Sequence, residues 1–256
     1  MRLNLEERWV EGDEGRQDEG SYMMPADFDK YADNYEKFVN SSLRPFGERD
    51  DYFNLYKLNC LKRWAYDPDR EIKILDFGCG IGKLSELLAQ AYPKSTVYGY
   101  DVSSKSIVSA RKKQRHLQNL AFGSRLSEEE TYDLIVASNV FHHIKRKDRR
   151  ETLFRLKDLL KLDGILAIIE HNPFNPLTVH TVKSCPIDAD ADLISMERLI
   201  RLARGCGLEV RVKRYIVFFP KLLKTLRNLE SYLGFLPLGA QYFAIFGRVL
   251  KQDHEL

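Results

Sequence analysis

The chain has 256 residues, of which 44% are hydrophobic and 30% are charged. This length and composition predict one large globular domain with an appendage, and a core that needs no disulfide or metal to hold it together. The formal net charge is +3, so overall charge gives no reason to expect a nucleic-acid-binding protein.

The N-terminal segment and the cysteines narrow the class of protein further. Residues 1–20 hold seven acidic and three basic residues without an apolar core, so they do not resemble a signal peptide. No apolar run approaches the roughly 18 residues of a membrane helix. The four cysteines match no zinc or redox spacing, and no metal site is predicted. We expect a cytoplasmic protein.

Two helical patterns precede the first strand of the predicted fold. Apolar residues recur at helical spacing from 28 to 40, and a second such pattern runs from about 51 to 66. We predict a flexible arm over residues 1–24 and a helical lid over residues 25–70.

From residue 71 onward, β-rich segments alternate with helical patterns, and residues 71–256 form the predicted core domain. Such alternation predicts an α/β fold, with a Rossmann-like doubly wound, mostly parallel seven-stranded sheet. Gly164 is expected in a turn, and a Pro/Asn-rich loop is expected from 171 to 192. The predicted strands cover residues 72–77, 96–101, 119–123, 132–138, 165–170, 208–215 and 241–250.

A glycine-rich loop follows the first predicted strand at residues 78–82. It is not a P-loop, because Phe77 stands where glycine is required and Leu84 stands where Ser or Thr would hold magnesium. A dinucleotide would bring its pyrophosphate close to the Asp76 carboxylate, whereas S-adenosylmethionine carries a sulfonium and an ammonium group that an acid favours. Asp101 ends the second strand and can accept hydrogen bonds from ribose hydroxyls in either case.

Four segments in this order resemble class I S-adenosylmethionine-dependent methyltransferases. They are ILDFGCGIGKLSELLA at 74–89, VYGYDVSSKSIVSAR at 97–111, YDLIVASNVFHHI at 132–144 and LLKLDGILAIIEHN at 159–172. The resemblance implies S-adenosylmethionine as cofactor, S-adenosylhomocysteine as product and an in-line methyl transfer to an acceptor.

The resemblance also implies roles for individual residues. The glycines line the methionine half of the cofactor with Asp76 near its amino group, Asp101 holds the ribose, and Asn139 lies beside the sulfonium. Many members carry an acid after strand three, but residues 122–126 contain none, so Ser124 or the backbone would replace it. The predicted cofactor-binding residues are Tyr35, Asp76, Gly78, Cys79, Gly80, Gly82, Asp101, Val102, Ser103, Ser124, Asn139 and Val140.

Three residues after strands four and five are predicted to be catalytic: His143, His171 and Asn172. A base is required only if the acceptor must lose a proton, and histidine has a suitable pKa for that task. Lys57 is a weaker candidate for the site.

The acceptor side is predicted to include residues 171–192 and 218–238. A basic and apolar helix is expected from 221 to 233, and it can either pack as a wall of the acceptor pocket or lie on an anionic membrane surface through residues 220–236. Both alternatives favour a small-molecule or lipid-like acceptor.

The other hypotheses are an RNA-modifying or nucleic-acid-binding protein that uses basic clusters at 111–115 and 145–150, and a catalytically silent cofactor-binding module. Those clusters are expected to be solvated faces, so a nucleic-acid partner is not expected.

Overall fold

The computed structural model describes residues 28–114 and 116–249, and the predicted N-terminal arm lies outside these ranges. Helix α1 covers Tyr35–Ser42 and helix α2 covers Asp50–Trp64. The single helix predicted from 28 to 40 is wrong at its start. A 3-10 helix over Ala32–Asn34 comes first, and Asn34 leaves the helical region before α1 begins.

A seven-stranded sheet forms the centre of the described structure, as predicted. The strands are β1 Lys73–Phe77, β2 Thr96–Tyr100, β3 Leu120–Gly123, β4 Tyr132–Ser138, β5 Leu160–His171, β6 Leu208–Ile216 and β7 Gln241–Arg248. Their order in the sheet is β3-β2-β1-β4-β5-β7-β6; β1 to β5 pair in parallel, and β7 runs antiparallel to both β5 and β6. The strand order reverses between β1 and β4, which is where doubly wound sheets bind ligands at the carboxyl ends of their strands.

Helices cover both faces of the sheet, and each face has its own apolar core. The helices after α2 are α3 Lys83–Ala91, α4 Ser104–Lys113, α5 Arg149–Asp158, α6 Pro176–Ser184, α7 Met196–Arg204 and α8 Glu230–Leu233. Side chains of α2, α3 and α4 pack on one face, and those of α5 and α7 pack on the other. No helix of the described residues is both long and apolar enough to cross a membrane.

Two predicted loop features are wrong. Gly164 lies inside β5 and not in a turn, because its missing side chain lets the β4 backbone approach: an added Cβ would lie 2.9 Å from the Tyr132 carbonyl oxygen. The Pro/Asn-rich stretch contains α6, which Asn175 caps by accepting a hydrogen bond from the Thr178 amide. Pro176 occupies the first helical position, where its missing N–H costs nothing.

The segment before β7 also differs from its prediction. Residues Lys221–Leu229 form a 3-10 helix with a kink at Leu223, followed by the short helix α8. No side chain of this 3-10 helix is buried, and none lines a cavity described below. The prediction that it forms a packed wall of the acceptor pocket is therefore wrong, because its apolar side chains face solvent.

Candidate active site

The glycine loop leaves β1 in a conformation that suits glycine alone. Gly78 and Gly80 have φ of 75° and 54°, in the left-handed region. The Gly78 and Cys79 amides donate to the Tyr100 carbonyl oxygen, which fastens the loop to the end of β2. A Cβ on Gly78 would lie 2.5 Å from Val140, so the loop passes too close to the end of β4 for any side chain.

Asp101 lies at the end of β2 and faces this loop. Its Oδ2 accepts a hydrogen bond from the Gly80 amide at 2.7 Å, and its Oδ1 accepts one from the Ser103 amide at 2.9 Å. Burial raises the pKa of the carboxyl, although these two hydrogen bonds oppose the shift. The carboxylate is therefore fixed at the mouth of the glycine loop.

Two adjoining cavities open along the carboxyl ends of the strands. The Asp101 cavity is lined by Asp101, Val102 and aromatic side chains of the N-terminal segment. The Lys57 cavity is lined by Lys57, Asp76, the two histidines after β4 and His171 at the end of β5. The residues that line both cavities are Tyr35, Gly78, Asn139, His143 and Ile187.

Asn139 sits at this junction in a strained conformation. Its φ is 58°, which is uncommon for a residue with a side chain. Its amide donates to the Ile169 carbonyl oxygen at 2.8 Å, and its Oδ1 accepts from Gln241 at 3.2 Å. Strain of this kind often marks a functional site.

A network of charged side chains forms one wall of the Lys57 cavity. Glu170 is fully buried, and it accepts hydrogen bonds from the Val140 and Phe141 amides at 2.7 and 2.6 Å. Its other oxygen lies 2.6 Å from Nδ1 of His142. Asp188 lies on the other side of the His142 ring, with its Oδ1 3.5 Å from Nε2 of His142 and 3.3 Å from Nε2 of His143.

The histidines of this wall have opposite protonation preferences. Burial disfavours a charge on His142, but the carboxylates of Glu170 and Asp188 outweigh it and raise the pKa of His142 to about 9. Burial and the charged His142 lower the pKa of His143 to about 3 and the pKa of His171 to about 4. One imidazolium thus lies beside two neutral imidazoles.

The ring nitrogens of His142 and His143 and a carboxylate oxygen of Asp188 lie within 4.8 Å of one another, close enough to hold a metal ion. A histidine ligand must be neutral, whereas His142 lies between two carboxylates that favour its charged form. The ion-pair network therefore accounts for this cluster without a metal ion.

Comparisons with known proteins agree with this geometry. A family model described as a methyltransferase domain matches residues 75–166. The chain is 28% identical over 143 residues to a malonyl-[acyl-carrier protein] O-methyltransferase of Bacillus anthracis, covering 54% of this chain and 46% of that protein. It is 40% identical over 120 residues to the enzyme of that name from Priestia megaterium, covering 46% and 42%. The chain thus matches about half the length of these curated relatives.

Solved structures share the fold. The magnesium protoporphyrin IX methyltransferase of Synechocystis, solved with bound S-adenosylmethionine, superposes with a TM-score of 0.56 at 17% identity, covering 85% of this chain and 87% of that one. Residues 75–166 thus match a methyltransferase domain, and the chain shares the fold of this methyltransferase structure. The predicted fold is confirmed, and the match to a methyltransferase domain agrees with the predicted family and cofactor.

The residues present fit S-adenosylmethionine, the cofactor of the family that the sequence resembles. Gly80 leaves open space beneath the Tyr35 ring, since an added Cβ there would only reach ordinary contact at 3.9 Å. Asp101 offers a fixed carboxylate at the same cavity, where ribose hydroxyls could donate to it. Asp76 is buried beside the loop and accepts a hydrogen bond from Ser85 at 2.6 Å; burial raises its pKa to about 6.

Most of the predicted cofactor residues meet at the two cavities, and three do not. Gly82 is the N-cap residue just before α3, and a Cβ there would lie 2.7 Å from the Phe122 ring, so its role is close packing. Ser103 caps α4 by accepting from the Ser106 amide. Ser124 is exposed and lines neither cavity. The cavity-lining members are Tyr35, Asp76, Gly78, Cys79, Gly80, Asp101, Val102, Asn139 and Val140.

The predicted catalytic residues also divide. His143 and His171 both line the Lys57 cavity. Asn172 does not, because its side chain is used within the protein: Nδ2 donates to the Pro237 and Gly239 carbonyl oxygens, and Oδ1 accepts from the Phe174 amide. This geometry contradicts a catalytic role for Asn172 and gives it the task of holding two loops together.

Sequence reasoning missed Asp188 and the part played by Glu170. Asp188 falls in the stretch interpreted as a loop, and nothing in its local sequence marks it as facing two histidines. Glu170 follows a run of five apolar residues at 165–169 and precedes His171. A carboxylate at the end of a buried strand needs a hydrogen-bonding or charged partner, and this is the signal that could have identified it.

Proposed function

We propose that this protein transfers the methyl group of S-adenosylmethionine to a small-molecule or lipid-like acceptor, with S-adenosylhomocysteine as the second product. The observation that carries the proposal is the junction of the two cavities at Gly78, Asn139 and His143. A cofactor in the Asp101 cavity and an acceptor in the Lys57 cavity would meet there.

When bound, S-adenosylmethionine supplies a methyl group already activated on a sulfonium. The chain then has to align the acceptor with that methyl group and exclude water, and alignment alone lowers a barrier by several kcal/mol. Tyr35 of α1 and Ile187 line both cavities, so they can close the junction from the lid side.

His143 is the side chain best placed to take a proton from a hydroxyl acceptor. It lines both cavities, its low pKa keeps it neutral at physiological pH, and Asp188 lies 3.3 Å from its Nε2. With Nε2–H directed to Asp188, Nδ1 is left to accept the proton. His171 is the second candidate, since it is also neutral but lines only the Lys57 cavity.

Lys57 indicates the chemistry of the acceptor. It is 4% exposed and lines its cavity, yet it forms no hydrogen bond or ion pair with another described residue. Burial lowers its pKa, and the nearby Asp50, Glu170 and Asp76 only partly oppose this. A buried ammonium is stabilised by an anionic partner, which favours an acceptor that carries a carboxylate or a phosphate.

The names of the relatives support a small acceptor without choosing one. They include malonyl-[acyl-carrier protein] O-methyltransferases and a (S)-coclaurine N-methyltransferase of Thalictrum flavum, the latter 32% identical over 123 residues and covering 46% of this chain and 32% of that protein. RNA modification is less well supported, because several arginines of the predicted basic clusters have partners within the protein: Arg111 donates to the Phe122 carbonyl oxygen and Arg146 to Asp192.

The decisive experiment pairs binding with product identification. Calorimetry should show S-adenosylmethionine binding with a Kd of about 1 µM, or about −8 kcal/mol. Tritiated cofactor incubated with fractionated extract of the source cells should then label a product that is absent with His143→Gln. NAD binding more tightly than S-adenosylmethionine would refute the proposal, as would the absence of any labelled product from a protein that binds the cofactor.

A further inference from the structure

The segment between β6 and β7 exposes a strip of large apolar side chains. Leu222 is 93% exposed, and Tyr232 and Phe235 are 75% and 77% exposed. Leu226 and Leu229 are three residues apart, so they share one face of the 3-10 helix. Contiguous exposed apolar surface of this kind usually marks an interaction site. The apolar strip comprises Leu222, Leu223, Leu226, Leu229, Tyr232, Phe235 and Leu238.

The charges beside the strip are basic. Lys221 and Lys224 are exposed, and neither forms an ion pair with another described residue. Glu230 is the single acid between residues 218 and 238. It is buried, so it places no negative charge on this surface. The exposed face of the segment is therefore apolar and cationic.

The strip is held firmly on the protein. Glu230 accepts hydrogen bonds from the Phe218 and Phe219 amides at 3.0 Å and from the Tyr56 hydroxyl at 2.6 Å. Arg227 binds Glu48 at 2.8 Å. The strip thus has a fixed shape before it meets a partner, which reduces the entropy cost of binding.

The middle and the C-terminal end of the segment are bonded to elements that supply residues to the Lys57 cavity. Tyr56, which binds Glu230, lies on α2, and this helix also supplies Phe53 and Lys57 to the cavity. At the C-terminal end, Asn175 donates to the Leu238 carbonyl oxygen at 2.7 Å. Ala240, two residues later, lines the cavity.

We propose that the apolar strip, with Lys221 and Lys224, docks this protein onto an anionic lipid surface. Cations without a competing exposed acid complement anionic headgroups, while Leu222, Tyr232 and Phe235 can enter the interfacial region. Lipid binding stands independently of the methyltransferase activity. Its consequence, delivery of a lipid-like acceptor to the adjoining Lys57 cavity, rests on the proposed function.

Vesicle sedimentation of the full chain tests this inference. The protein should sediment with vesicles of phosphatidylcholine and phosphatidylglycerol, and at least about tenfold less with vesicles of phosphatidylcholine alone. Raising the salt concentration should weaken the binding, because the Debye length shortens. Lys221→Glu/Lys224→Glu should reduce binding at least about tenfold, and Leu222→Ser/Phe235→Ser should do likewise.

Matched controls separate the strip from general surface effects. Lys105→Glu/Lys112→Glu reverses two exposed cations on α4, and Val108→Ser/Leu162→Ser removes two exposed apolar side chains elsewhere; both should bind vesicles like the unaltered protein. Equal losses in strip and control variants would overturn the inference. Failure of the unaltered protein to bind anionic vesicles would also overturn the inference. If, in addition, the strip variants converted a dimer to a monomer, the strip would be an interface between two copies of the chain. The affinity of the same variants for S-adenosylmethionine, measured by calorimetry, should equal that of the unaltered protein. Lipid binding and the proposed function can therefore fail independently of each other.

Discussion

The Glu170 carboxylate, near the end of β5, lies 2.6 Å from Nδ1 of His142, in the loop after β4. This contact connects the ends of the two strands beside the candidate active site. The other oxygen of Glu170 binds the Val140 and Phe141 amides, so one buried side chain satisfies two backbone donors and one ring donor. This contact shapes the loop after β4, which carries both Asn139 and His143.

Replacing Glu170 with glutamine should destabilise the protein. Glutamine cannot balance the charge of His142, and breaking a buried ion pair from one side costs about 3 kcal/mol. Urea denaturation should show this loss, whereas Glu128→Gln, on an exposed loop, should change the free energy of unfolding by less than about 0.5 kcal/mol. A loss below about 1 kcal/mol for Glu170→Gln would show that the pair contributes little.

Because His142 is charged in the folded protein, the free energy of unfolding should fall at alkaline pH. Its pKa is raised to about 9 in the folded protein from an ordinary value of about 6.5. The stabilisation from the charged ring is therefore complete below pH 6.5 and is lost as the pH rises through about 9. Urea denaturation at pH 6, 7.5 and 9 should show a decline that His142→Gln lacks.

His116→Gln is the matched control for this pH dependence, because His116 is exposed. It should keep the decline of the unaltered protein. If His142→Gln also kept the full decline, the charge on His142 would not be its source.

The sequence predicted the parts of the site that are local and missed those that are not. The loop at 78–82 and Asp101 follow their strands directly, and a parallel sheet brings strand ends together whatever the details of packing. Asp188 reaches the histidines only because α6 turns the chain back over the sheet. The segment at 221–233 has helical spacing of apolar residues, but spacing alone does not say whether that face is covered.

Removing the Asp101 carboxylate should weaken binding of the cofactor. The ribose hydroxyls would lose a charged acceptor, which is worth about 2 kcal/mol. Calorimetry should show this loss of affinity for S-adenosylmethionine in Asp101→Ala but not in Asp69→Ala, which alters an exposed acid. Unchanged affinity in Asp101→Ala would remove Asp101 from the cofactor site.

Loss of the proposed base should affect turnover without affecting the cofactor. His143→Gln should lower kcat by about 10²-fold or more when the acceptor is a hydroxyl. The affinity for S-adenosylmethionine should change little. His180→Gln, on the exposed side of α6, serves as the control. If His143→Gln retains full turnover and His171→Gln does not, the base is His171.

The N-terminal helices should close further over the occupied site. Tyr35 stands above Gly80, and the Phe28 ring packs edge-on against His143 with centroids 5.0 Å apart, so both reach the cavities from outside the sheet. Bound cofactor would give these aromatic side chains additional contacts and so lower the population of opened states. S-adenosylhomocysteine should therefore slow amide exchange across residues 28–64, and Tyr35→Ala should reduce that protection. Slower exchange confined to residues 78–82 would show that the lid does not respond to the cofactor.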